Sequence, residues 1–162
     1  MTTIKSIIGL VVWLVITFVA AFIGSRYMPG EWYAQIAKPS WTPPNAIFGP
    51  VWTILYIMMA IAAWLVWKAK GISRAKLALL FFVIQLILNA LWSYFFFGRH
   101  DIILAFIDIV ILWLFILLTL IAFWKQNKLA GVLLIPYLLW VTFASVLNYS
   151  FMYINIFWLH KM

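Results

Sequence analysis

The sequence predicts an all-α integral membrane protein: one domain over residues 1–162, built as a bundle of five transmembrane helices. Three observations predict it. Of the 162 residues, 69% are hydrophobic and 9% charged, with a mean hydropathy of +1.14, which leaves too little charge to cover a soluble domain. The apolar residues fall in long runs rather than in stripes or strict alternation, as in helices solvated by lipid. A hydrocarbon core of about 30 Å takes roughly 20 helical residues to cross. Five such spans with short connections use the chain and leave no soluble domain.

Span one is expected from Ile4 to Tyr27. Lys5 precedes the apolar run Ile7–Ile23, but that run exceeds the roughly 7–15 residues of a signal-peptide core and contains Trp13, so it reads as retained. Ala20 and Gly24, and likewise Ala21 and Ser25, are small-residue pairs that permit close helix contact, within the bundle or in a homodimer. Residues 28–45 form the longest polar stretch. Pro29-Gly30 turns the chain, Glu31–Ala37 can make one or two helical turns, and Lys38-Pro39 ends them, because a residue before proline disfavours the α region. Trp32, Tyr33 and Trp41 suit the headgroup level, where a ring can be half wet.

Span two is expected over Ala46–Trp67, capped by Thr42, with Pro43 and Pro44 in its first turn and Pro50 bending it. A basic loop with Lys68, Lys70, Arg74 and Lys76 leads to span three, Leu77–Phe97. The turn Gly98–Asp101 leads to span four, Ile102–Trp124, and Lys125–Lys128 to span five, Leu129–Phe157, with Pro136 as an expected kink. His160-Lys161 makes a basic tip. There is no internal repeat, so the inverted-repeat pattern of many transporters is not evident.

The net charge of +8 suits anionic lipid headgroups and the setting of topology rather than nucleic acid. Lys5, Lys68, Lys70, Arg74, Lys76, Lys125 and Lys128 lie on one side; Arg26, Lys38, Arg99 and Lys161 lie on the other. This places the N-terminus inside and the Trp-rich loop outside. Without a presequence, the expectation is a bacterial cell membrane. There is no cysteine, which excludes disulfides, thiolate metal sites and thiol nucleophiles. His100 and His160 sit at span ends without a second ligand at metal spacing, so neither a metal nor another cofactor is expected. Hydrolase and kinase constellations are missing.

Polar groups inside lipid are costly, so those present are informative. Gln85 and Asn89 share a face with Trp92 and Phe96. Tyr137, Trp140, Ala144 and Asn148 form a similar progression, as do Trp52, Tyr56 and Met59. These faces can converge on one pocket of indoles with a few amides to orient a ligand. Alternatively, Gln85, Asn89 and Asn148 simply bond across helices. Asp108 is the one acid well inside a span. It reads as a structural carboxyl, paired with a loop cation or bonded to a neighbouring helix, since no second intramembrane ionisable group offers a proton relay. Trp13, Trp64, Trp67, Trp124 and Trp158 suit span ends or lipid-facing belts, while Trp113 fits either role.

Several separated motifs, in order, resemble the translocator protein family, the tryptophan-rich sensory proteins of bacteria, called peripheral benzodiazepine receptors in animals. They are Trp32-Tyr33, Lys38-Pro39-Ser40-Trp41-Thr42-Pro43-Pro44, Val51-Trp52-Thr53, Asn89-Ala90-Leu91-Trp92 with Phe95–Gly98, Ala130–Leu133 running into Pro136–Trp140, and Leu147-Asn148. The resemblance implies a five-helix bundle, commonly dimeric, with a cavity under the first loop. It implies binding of porphyrins such as protoporphyrin IX and of isoquinoline or benzodiazepine drugs. Some bacterial members promote light-dependent porphyrin breakdown. Carried over, Trp52 and Asn89 contact ligand, Trp140 faces Trp52, Ala144 lies on the wall, and Tyr33, Pro39 and Pro43 shape the lid. If the chemistry is photo-oxidative, Trp52 and Trp140 are its catalytic residues. Porphyrin transport is a further reading, weakened by the scarcity of intramembrane charges. The sterol motif of animal members needs a basic residue close after a tyrosine, and Tyr149 and Tyr153 lack one; Lys161 is too distant.

Overall fold

The computed structural model describes residues 2–158, and of Trp158 only the backbone; the His160-Lys161 tip lies outside the described residues. The α-helices are α1 (Thr3–Ser25), α2 (Glu31–Gln35), α3 (Asn45–Ser93), α4 (Ile102–Gln126) and α5 (Lys128–Met152). Wide π-turns, Tyr94–Gly98 and Tyr153–Trp158, extend α3 and α5. Among the described residues there is no strand, and four helical segments are long and apolar enough to cross a membrane.

The expected basic loop between spans two and three is instead helical on both sides of one residue. Gly71, at φ 70 and ψ 172, interrupts α3. Ala, Lys and Arg around it are good helix formers, so each arm extends up to the break. Tyr56 bonds Asn89, and Met59 accepts from Gln85, across that break. Pairs that run in opposite directions along the chain mean that the arms lie antiparallel, folded back at Gly71. An unbroken helix of 49 residues would reach about 74 Å; the arms reach roughly 39 and 33 Å.

The start of α3 also differs from expectation. Pro44 precedes the first helical residue in extended conformation, and Thr42 does not cap the helix. Its hydroxyl donates to the Pro39 carbonyl at 2.7 Å, closing a turn in the loop. Pro50 and Pro136 sit within α3 and α5 without ending either. Asp101 and Asn127 cap α4 and α5, accepting from Leu104 N–H (2.9 Å) and Ala130 N–H (3.2 Å).

α3 is the hub. It packs on α1, α4 and α5, and α4 packs on α5. Small residues bring the helices close: Ala60, Ala62, Ala63, Ala105 and Ala130 are fully buried. α1 lays the stripe Gly9, Trp13, Thr17, Ala20 and Gly24 against this core. A Cβ on Gly9 would overlap the Trp67 ring, and Gly24 faces Ala90 and Ser93. The Ala20–Gly24 pair is therefore used inside the chain. Trp13, expected in a belt, is a core residue set edge-on to Phe82, because it shares with Gly9, Thr17, Ala20 and Gly24 the buried face of α1. Outward faces are apolar, as at Ile8, Val15 and Val19 on α1 and Leu114, Leu118 and Ile121 on α4. A soluble protein does not expose such a surface.

Candidate functional site

The intramembrane amides meet in one place. Gln85 and Asn89, one turn apart on the second arm of α3, face Tyr56 and Met59 on the first arm and Tyr137 on α5. The Tyr56 hydroxyl donates to Asn89 Oδ1. Asn89 Nδ2 donates to the Tyr137 hydroxyl at 3.0 Å, and that hydroxyl donates to Gln85 Oε1 at 2.8 Å. Gln85 Nε2 reaches Met59 Sδ at 3.8 Å. Gln85 and Tyr137 are each 1% exposed, Asn89 6% and Tyr56 7%, so the knot is dry. In apolar surroundings such bonds are strong and an unpaired member is costly. The arrangement matches the expectation of amides bonding across helices: it ties both arms of α3 to α5.

An aromatic wall lies against the knot. Trp52 is one helical turn before Tyr56, its ring 5.6 Å from that of Tyr56 and edge-on to Tyr137 at 6.1 Å. On α5, Trp140 stands edge-on to Phe48, one helical turn before Trp52 on α3, at 5.9 Å and tilted against Phe143 at 5.6 Å. Trp52, Trp140 and Ala144 are only partly buried, so the wall has accessible faces. Trp140 Nε1 is nevertheless buried without a hydrogen-bond partner among the described residues. Trp41 of the loop packs edge-on to Phe143 at 5.7 Å, which brings the loop over this wall.

Trp92 and Asn148 form a second station. Trp92 Nε1 donates to Asn148 Oδ1 at 2.9 Å, and Asn148 Nδ2 donates to the Ile102 carbonyl at 3.2 Å. They join the C-terminal arm of α3, α5 and the start of α4, and Trp92 stacks on Phe96 at 5.2 Å. Trp92 and Asn148 thus bond to each other and not to the Gln85–Asn89 group. Trp113, ambiguous by position, donates to Thr142 Oγ1 at 2.7 Å and joins α4 to α5.

The loop covers the same end of the bundle. Tyr33 is buried among Phe96, Phe97 and Phe151, with Lys38 Nζ 4.8 Å above its ring. Burial pushes the Tyr33 phenol above its ordinary value. Pro39 is buried and Pro43 partly so. Asn155 pins the loop, though the sequence reading did not single it out. Its Oδ1 accepts from Ala37 N–H at 3.1 Å, and its Nδ2 donates to the carbonyls of Ala37 and Phe151, each at 2.9 Å. Its position seven residues after Asn148, hence on the same helical face, was the available signal.

Asp108 on α4 is 5% exposed. The expected pairing is not made at Oδ2, which is buried without a hydrogen-bond partner among the described residues. Two open grooves flank the loop. One of about 380 Å³ lies between Pro39–Trp41 and the outer face of α5 at Tyr149 and Tyr153. The other, of about 500 Å³, lies between α2, the α3–α4 turn and the end of α5. Among the described residues no cluster of metal-ligating side chains occurs.

The sequence profile of the TspO/MBR family matches residues 7–154. The chain is 42% identical over 158 residues to the tryptophan-rich protein TspO of Chlorobaculum tepidum, covering 93% of this chain and 98% of that one. It is 39% identical to a tryptophan-rich sensory protein of Cereibacter sphaeroides, covering 88% and 91%. It is 40% identical to the translocator protein of Homo sapiens, covering 79% of each.

Proposed function

Because this chain belongs to the TspO/MBR family, we propose that it is a membrane sensor that binds porphyrins, protoporphyrin IX among them, and flat isoquinoline- or benzodiazepine-type molecules between its helices. It is a multi-pass integral membrane protein. We read α3 as two crossings joined at Gly71, which with α1, α4 and α5 makes five, with the N-terminus inside.

The observation that carries the ligand reading is the pair of partly buried indoles, Trp52 and Trp140, held beside the Tyr56–Asn89–Tyr137 knot and under Trp41. A flat macrocycle stacks on indole faces, and the unpartnered Trp140 Nε1 is a donor awaiting an acceptor. Tyr33, Pro39 and Pro43 shape the cover over that space, with Ala144 on its wall. The ligand enters by displacing the loop side of the wall, while the knot orients it from below. Saturable quenching of tryptophan fluorescence by protoporphyrin IX in nanodiscs is the test. Trp52→Leu should weaken it at least tenfold, and unchanged binding would overturn this site.

A second reading rests on the aromatic series Trp140–Phe48 and Tyr137–Trp52–Tyr56, with neighbouring centroids about 6 Å apart. Under it the bound porphyrin is oxidised by oxygen in light, the oxygen taking up the electrons, with Trp52 and Trp140 mediating electron or radical transfer and returning to their starting state. It predicts light-dependent decay of the bound Soret band that is lost in Trp52→Phe and in Trp140→Phe. A homodimer would use the outward apolar face of α1, since Ala20 and Gly24 are occupied within the chain.

A further inference from the structure

The groove of about 500 Å³ between α2, the α3–α4 turn and the end of α5 has no part in the site above. Its walls are fixed. The Asn155 clasp on Ala37 holds the loop side. His100 holds the turn side, its ring stacked on Trp32 at 4.4 Å and 12°. His100 alone among the described non-glycine residues has positive φ, at 57. The lining is of two kinds. Arg99 and Asp101 lie in the turn outside the helices, with opposite charges. Ile103, 45% exposed on the first turn of α4, and Ile156 at the end of α5 give it an apolar side.

An apolar side next to one cation and one carboxylate, at the level where membrane helices end, complements an amphiphile with a zwitterionic head. We propose that this groove holds the headgroup of an ethanolamine phospholipid, its phosphodiester on Arg99, its ammonium toward Asp101, and its first acyl carbons against Ile103 and Ile156. Guanidinium suits a phosphodiester because its N–H groups reach two oxygens together. Asp101 caps α4 with Oδ1, accepting from Leu104 N–H at 2.9 Å, which leaves its second oxygen for the ammonium. The carboxylate also disfavours a head that carries only negative charge, so it selects against phosphatidylglycerol. This inference does not depend on porphyrin binding.

Native mass spectrometry of the detergent-purified full chain, titrated with phosphatidylethanolamine or phosphatidylglycerol, tests it. The expected result is one saturable phosphatidylethanolamine, bound more tightly than phosphatidylglycerol. Arg99→Gln should weaken phosphatidylethanolamine about fivefold, the effect of one charge at a membrane surface. Asp101→Asn keeps a capping side chain and should erase the preference between the two lipids. Lys70→Gln, beside Gly71, should change neither. Melting temperature in the same detergent shows that each variant is folded. Retention unchanged by Arg99→Gln, equal loss in Lys70→Gln, or a wild-type preference for phosphatidylglycerol would each overturn the proposal.

Discussion

At the scale of single residues, Asn89 and Asp108 are opposite cases. Asn89 is buried with its amide engaged on both sides, so Asn89→Leu strands the Tyr56 hydroxyl in an apolar interior and takes away the donor that the Tyr137 hydroxyl accepts from, leaving Tyr137 its bond to Gln85. A loss of about 1–3 kcal/mol is expected, seen as a lower melting temperature in detergent. Protoporphyrin IX affinity should fall in the same variant. A full-affinity, full-stability variant would show that the knot neither holds the arms nor orients ligand. Asp108 is buried with an oxygen that no described residue satisfies. Asp108→Asn removes a charge without removing a known bond, so melting temperature should not fall and porphyrin binding should persist. Loss of binding by a folded Asp108→Asn protein would mean that the carboxyl acts on ligand.

At the scale of elements, the bends and the clasp decide where side chains meet. Gly71 at φ 70 and ψ 172 occupies a region essentially confined to glycine. Gly71→Ala should cost roughly 1–3 kcal/mol, read as a drop in melting temperature. The same change at Gly30, where an added Cβ meets nothing, should do much less. The loop depends on Asn155, which makes two of its three hydrogen bonds to Ala37. Asn155→Ala should speed amide hydrogen exchange across residues 31–42 by about tenfold, a loss of about 1.4 kcal/mol, with little change in α4. Uniform protection in the variant would show that aromatic packing of Tyr33 and Trp41 holds the loop without the clasp.

At the scale of the whole molecule, the proposed five crossings would put the Trp-rich loop and the Gly71 bend on opposite sides of the bilayer. The chain has no cysteine, so Ser40→Cys and Ser73→Cys each introduce one label site. An impermeant maleimide added outside should label residue 40 and spare residue 73; the reverse would invert the orientation. The helices themselves were legible in the sequence, because a run of twenty apolar residues has few alternatives in lipid. Caps and turns at Asp101 and Asn127 were legible in part, from the shortness of the polar breaks. That the chain turns between Trp67 and Leu77 was legible; that the turn narrows to Gly71 alone was not, since the residues around it read as a basic loop while their helix propensity extends both arms. Trp13 was misread because its position along the chain suits a belt, while its burial depends on which face α1 turns to α3.

Composition and pattern therefore determined the membrane class, the helical content and the residue types able to form a site. The hydrophobic run is a local property, and lipid imposes helix on it. Tertiary structure alone decided that Gln85, Asn89, Tyr56 and Tyr137 bond to one another while Trp92 and Asn148 form a separate pair. It alone brought Asn155 to Ala37. These partners lie tens of residues apart or more, and only the direction in which each helix is turned and folded back settles which polar groups find each other in an interior without water.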